Sequence, residues 1–236
     1  MCINKILNFK SDVVLYGIQR INDNNNVLLK IVPTSKKDVY INNEILNVIL
    51  PNILGMSSND ENNINLVTSS CTMLISKKII NKYNWKFVSE RKIISEDAYS
   101  MLSLFKNINK VSVVNEALYN YRVNLNSLTQ VYREDRFDKN NIFIIKSYEM
   151  CDKLNYSTNI KQSLSICYFN NIVGVMKSIV NSNFTISNKF FLLNRILEND
   201  IFQNSLNHIN KSKEKMKRKL LLLFSNKKNC FMVYLL

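Results

Sequence analysis

The chain has 236 residues, 46% of them hydrophobic, and carries 32 Lys and Arg against 18 Asp and Glu, a net charge of +14. That apolar fraction excludes a largely disordered protein and is enough for one sizeable core, with or without a small helical appendage. A single histidine, His208, and five scattered cysteines (Cys2, Cys71, Cys151, Cys167 and Cys230) with no Cys-x-x-Cys argue against a zinc site. The cysteines read as small buried hydrophobes in a reducing cytoplasm, and residues 1–9 show no secretory signal.

Taken in chain order, Val13 to Ile21 reads as a buried strand and Val27 to Val32 as its hairpin partner. The turn between them is Asn22-Asp23-Asn24-Asn25-Asn26, whose residues tolerate left-handed backbone. Apolar residues at Ile41, Ile45, Leu46 and Ile49 predict a helix over Lys36 to Leu50, ended by Pro51. Gly55 to Asn65 is an asparagine-rich loop. Val67 to Ser76 reads as the next strand, followed by a short helix to about Tyr83 and an extended aromatic segment, Trp85-Lys86-Phe87. A helix over Glu96 to Lys106 and two extended pieces, Val111 to Val114 and Ala117 to Val123, complete an alternation that indicates an α/β layer. From Arg133 onward the spacing predicts only helices: one about Ile142 to Asp152, then Leu164 to Val180, Lys189 to Leu197 and Lys211 to Phe224. The expected organisation is a sheet-bearing domain over residues 1–130 and a helical extension over residues 131–236.

Only three Gly and two Pro are present, few for a nucleotide-binding α/β fold, which uses glycine where backbone approaches phosphate. The excess of cations points to nucleic acid or an anionic membrane face. Against nucleic acid stands the lack of aromatic and basic residues interleaved on one surface. The densest run, Lys211, Lys213, Lys215, Lys217, Arg218 and Lys219, precedes Leu220 to Phe224, and Lys227-Lys228 precedes Phe231 to Leu236. Both apolar runs are shorter than the roughly 20 residues a bilayer requires. Such a tail either lies peripherally on the inner face of the membrane or packs on its own domain through its leucines.

Ser95-Glu96-Asp97-Ala98-Tyr99 places two carboxylates in the first turn of a helix behind a good N-cap. The helix dipole there favours their ionised forms by about 0.3–1 kcal/mol each. They are either dipole-complementing residues on a solvated helix start or a site for general-base chemistry. Adjacent helical residues point about 100° apart, which favours one base over a facing pair.

Around that motif stand Ser69 to Ile80, Phe87-Val88-Ser89-Glu90 and, downstream, Ala117-Leu118-Tyr119-Asn120-Tyr121-Arg122 with Ser127-Leu128-Thr129. In order and spacing these blocks, from about Lys10 to Thr129, resemble the second half of a family 2 bacterial glycosyltransferase of the GT-A type. The resemblance implies a truncated GT-A-like mixed sheet with flanking helices, followed by the α-helical extension. It also implies an inverting sugar transfer from a nucleotide-sugar donor to a saccharide or lipid-linked acceptor, in surface-polysaccharide synthesis. Asp97 would be the general base and Glu96 its helper. Ser70, Trp85, Tyr121 and Arg122 would bind substrate, with Arg122 reaching a diphosphate oxygen. A lone tryptophan such as Trp85 is more often a core or cleft-wall residue, and a surface arginine is an equally open reading of Arg122. Cys71 and Met73 stand where relatives often have tryptophan and lysine, which leaves the acceptor open. The family's nucleotide-binding half, with the Asp-x-Asp that holds Mn or Mg, has no counterpart after Met1, so the chain is expected to be inactive without it. A non-catalytic remnant or membrane-surface interaction protein is the alternative.

Overall fold

The computed structural model describes residues 1–57, 59–123 and 132–236; the Ser127-Leu128-Thr129 block lies outside the described residues. Its centre is strand β1 (Val13–Ile21), in which Val13, Val14 and Leu15 are almost wholly buried. On one side β1 pairs in parallel with β5 (Lys110–Arg122), whose outer edge takes β3 (Val39–Ile41) antiparallel. On its other side β1 is shared. Val13 to Leu15 pair antiparallel with β4 (Met73–Ile75), and Ile18 to Ile21 pair antiparallel with β2 (Val27–Ile31). The result is a mixed α/β sheet of the expected class.

Gly17 sits where β1 passes from one partner to the other. A Cβ there would stand 2.3 Å from the Ile31 carbonyl oxygen and 3.1 Å from that of Glu116, so only glycine lets the strands on either side close up. The hairpin turn forms as the asparagines suggest, with Asn25 at φ 60° and Asn26 N–H donating to Asn22 Oδ1 at 2.9 Å. Asp12, just ahead of β1, ties three segments together. Its Oδ2 accepts from the N–H of Asn109 and Lys110, and its carbonyl accepts from Ser76 N–H.

Four expectations need correction. The helix over Lys36 to Leu50 is instead β3, a π turn over Ile45–Ile49 and the short α2 (Leu50–Leu54). Asn42 in left-handed backbone breaks the early part, and Val39-Tyr40-Ile41 gains more from pairing with the edge of β5. Pro51 falls in the first turn of α2, where its missing N–H costs nothing, and so begins that helix rather than ending one. The strand over Val67 to Ser76 shortens to β4, because Ser70–Thr72 closes a 3-10 turn in which Ser69 Oγ accepts Cys71 N–H. The two extended pieces after residue 110 are one strand, β5, with irregular register against β1 around Gly17.

α1 (Cys2–Phe9) precedes the sheet, and α3 (Lys77–Tyr83) and α4 (Glu96–Phe105) follow β4. Met101, Leu102 and Phe105 of α4 are at most 1% exposed, each burial worth about 1.5–3 kcal/mol. The helical region comprises α5 (Arg136–Lys153), α6 (Thr158–Val180), α7 (Ile186–Leu197), α8 (Asp200–Leu206), α9 (Met216–Asn226) and α10 (Cys230–Leu235). α8 and α10 span two turns or fewer, too short to leave a periodic signature in the sequence. α6 is long and apolar enough to cross a bilayer by length and composition, yet it is the central helix of the core, packed on α2, α5 and α8. One contiguous apolar core runs from Val13 of β1 to Val233 of α10.

Candidate active site

A cavity of about 480 Å³ lies where the start of α4, the end of α2, the loop over residues 63–68 and the middle of α6 meet. Glu96 and Asp97 both line it. Although they diverge around the helix, they stand on its first turn at the cavity wall, where two neighbouring directions still open onto one space.

Local structure aims this turn. Ser95 precedes α4 in left-handed backbone (φ 58°), so it does not cap the helix with its hydroxyl as expected. Instead Ser95 Oγ accepts from Asn171 Nδ2 of α6 at 2.8 Å, a tether across the cavity. A serine in this conformation costs on the order of 1–3 kcal/mol, strain of the kind that collects at functional sites. Asp97 Oδ2 accepts from Ser70 N–H at 3.0 Å, which fixes the carboxylate against the 3-10 turn. Ser70 thus contributes its backbone.

The asparagine-rich loop is held by its own side chains. Asn52, buried on α2, donates to the carbonyls of Val48 and Asn62 and accepts from Ile64 N–H. Asn65 Nδ2 donates to the Val32 carbonyl, binding the loop to the end of β2. Gly55, also on the cavity wall, has φ 150°, a conformation closed to side-chain-bearing residues. Asn52→Ala would strand the Ile64 N–H and two carbonyls. A loss on the order of 2–4 kcal/mol is expected, read as a lowered thermal midpoint and faster amide exchange at Ile64.

The Glu96 carboxyl titrates above its ordinary range, first because it is half-buried and then because the charges of Asp97 and Glu90 oppose its ionisation. A carboxyl raised in the folded state holds its proton longer there than in the unfolded chain, so stability falls as pH rises through that window. Glu96→Gln is therefore expected to gain thermal midpoint over the parent near pH 7 and to match it near pH 4, below the ordinary value of 4.5. Cys167, on the α6 wall, is pushed up to about 12 by burial and stays a thiol at neutral pH.

The other residues named from the sequence stand elsewhere. Trp85 is strapped to the flank of α4, where its indole N–H donates to the Ser100 carbonyl and Ser103 Oγ and its ring meets Phe87 edge-on at 4.6 Å. Arg122 donates to the carbonyls of Asn22 and Asp23 and to Asn25 Oδ1, so its fork clasps the β1–β2 turn. It lies opposite Ile21, whereas Ile31 of the cavity wall lies opposite Ile18, about 10 Å back along β1. Tyr121, beside it, is likewise outside the cavity. Sequence reasoning missed Asn170 and Asn171, which line the cavity from α6. The signal was there: adjacent asparagines inside the otherwise apolar stretch from Ile166 to Met176.

No protein-family model and no curated protein matches this sequence. Solved structures do. The crystal structure of S. aureus TarS 1–349 in complex with UDP matches with a TM-score of 0.51 at 15% identity, over 98% of this chain and 59% of that one. The likeness is one of fold: this chain shares the fold of the matched part of TarS. The same protein in complex with UDP-GlcNAc matches at 0.51 and 16%, over 98% and 60%, and TarS 1–349 alone at 0.51 and 15%, over 98% and 58%. The chain therefore spans somewhat under two thirds of the length of these neighbours. As to a metal, among the described residues no three His, Cys, Asp or Glu side chains gather in a set that could hold one. Among the described residues of the cavity wall, the one acidic side chain besides Asp97 is Glu96.

Proposed function

We propose that this chain is the acceptor-side part of an inverting sugar transferase, working in the cytoplasm on a saccharide or lipid-linked acceptor. The observation that carries the reading is Asp97: a carboxylate fixed by Ser70 N–H on the wall of a sugar-sized cavity, in a fold shared with the UDP-bound TarS. In the step envisaged, an acceptor hydroxyl attacks the anomeric carbon of a nucleotide-sugar. Its proton passes to Asp97, and the bond from the anomeric carbon to the diphosphate oxygen breaks, leaving the nucleoside diphosphate. A single displacement with one base inverts the anomeric centre. Glu96, diverging from Asp97 around the first turn, supplies a hydrogen bond to the acceptor rather than a second base.

A nucleotide-sugar donor is supported by the neighbours' complexes with UDP and UDP-GlcNAc. The donor-binding half, with its metal ligands, would come from a segment outside this sequence, on the same or another polypeptide. β2 fits that view. It lies at the edge of the sheet, and Val27, Leu28 and Leu29 are 46–58% exposed, an apolar edge ready to be covered. The same exposed apolar edge would equally serve a second reading, a non-catalytic interaction protein.

The test is transfer of labelled sugar from UDP-GlcNAc to a surface-polysaccharide acceptor, with a family nucleotide-binding half supplied as a second polypeptide. Transfer that requires this chain supports the first reading. Association of the two polypeptides without turnover supports the second.

A further inference from the structure

A second and larger cavity, about 720 Å³, opens between α6, α9 and α10, and no part of the transfer reading uses it. Its volume falls within the roughly 300–1,000 Å³ of small-molecule sites. The wall is apolar, formed in part by Val173 and Met176 of α6 and Leu221 of α9. The rim is cationic: Lys177, Lys215, Lys217 and Arg218 all border it.

Most of this charge is uncompensated. Arg218 is paired with the wholly buried Glu214 at 3.1 Å and lies 5.5 Å from the Phe169 ring centre, yet its Nη2 has no hydrogen-bond partner. Among the described residues, Lys177, Lys215 and Lys217 have no ion-pair partner at all. Lys217, Arg218 and Lys219 also crowd the first turn of α9, which has no acidic residue, although the helix dipole there favours anions. Cations crowded against a dipole of the same sign, beside an apolar hollow, are a local conflict that a ligand of opposite charge would resolve.

We propose that this cavity binds a phosphate-bearing amphiphile. Its anionic head would sit on Lys177, Lys215 and Lys217, and its alkyl chain would run against Val173, Met176 and Leu221. The apolar wall gives a free anion nothing, and the cationic rim gives a neutral alkyl chain nothing, so the two features together select a molecule that carries both. Asn170 lines this cavity and the one that holds Asp97, so such a ligand would lie within one residue of the transfer site. The proposal does not rest on transfer, because binding is read directly.

Calorimetric titration of the whole chain with decyl phosphate, kept below its micellar concentration, is expected to show saturable binding at a single site. Inorganic phosphate and an uncharged decyl glycoside are each expected to bind at least roughly tenfold more weakly. Lys215→Glu with Lys217→Glu, and separately Val173→Trp, which fills the hollow, should each weaken decyl phosphate by roughly tenfold or more at unchanged circular dichroism. Should the tryptophan variant fail to fold, the exposed lysine pair still decides. The proposal is overturned by inorganic phosphate binding as tightly as decyl phosphate, by the decyl glycoside doing so, by variants that bind like the parent, or by no saturable binding.

Discussion

Asp97→Asn is expected to lower the rate of sugar transfer by about 10²–10⁴-fold, the range removed with a positioned general base, while leaving the fold intact. The structure makes this substitution informative, because asparagine keeps an oxygen that can accept the Ser70 N–H now held at 3.0 Å. The side chain stays in place and only its basicity is lost. The apparent Michaelis constant for the acceptor should change little, since the proton moves only in the transition state. Undiminished transfer by a folded Asp97→Asn protein would remove Asp97 from the chemistry.

Gly17→Ala should be the most damaging small substitution in the sheet. The added methyl would meet the Ile31 carbonyl oxygen at 2.3 Å, with the Pro33 ring at 3.0 Å and the Glu116 carbonyl oxygen at 3.1 Å behind it. None of the nearest atoms is the free end of a flexible side chain, so β1 must move away from β2, from β5 or from both. Overpacking of this kind costs roughly 1–3 kcal/mol and more where backbone is involved, and for a chain of this length each kcal/mol lowers the thermal midpoint by about 2–4 °C. A fall of roughly 5–10 °C in a calorimetric scan is the expected result. Because β2 carries Ile31 onto the cavity wall, the damage should reach the site as well. A midpoint within a degree or two of the parent would mean that the strands close around Gly17 less tightly than described.

The sequence disclosed what depends on neighbours along the chain. The β1–β2 hairpin was legible because Val and Ile runs flank an asparagine turn, and the place of Glu96 and Asp97 at a helix start was legible from Ser95, although that serine turned out to bond α6 rather than cap α4. What stayed hidden was set by contacts distant in sequence. Arg122 was open to two readings, a diphosphate contact or a surface arginine, and parallel pairing of β5 with β1 delivers it to a turn about 100 residues earlier. Trp85 was open to two readings, sugar platform or core and cleft wall, and two oxygens of α4 hold its N–H. The helical region looked mute, yet α6 supplies Asn170 and Asn171, because helical periodicity reports which face is apolar and not which loop that face meets. The leucines of the basic tail were open to two fates. Leu221, Leu222 and Phe224 pack on the core, whereas Leu223, Phe231 and Leu235 remain exposed.

The central claim, that Asp97 takes the proton of an acceptor hydroxyl, is tested most directly by rescue with a small external base in the reconstituted reaction. Asp97→Ala should transfer sugar about 10²–10⁴-fold more slowly than the parent and regain rate as formate is added, whereas Glu96→Ala should not respond to formate. An Asp97→Ala protein that transfers as fast as the parent without formate would contradict the account.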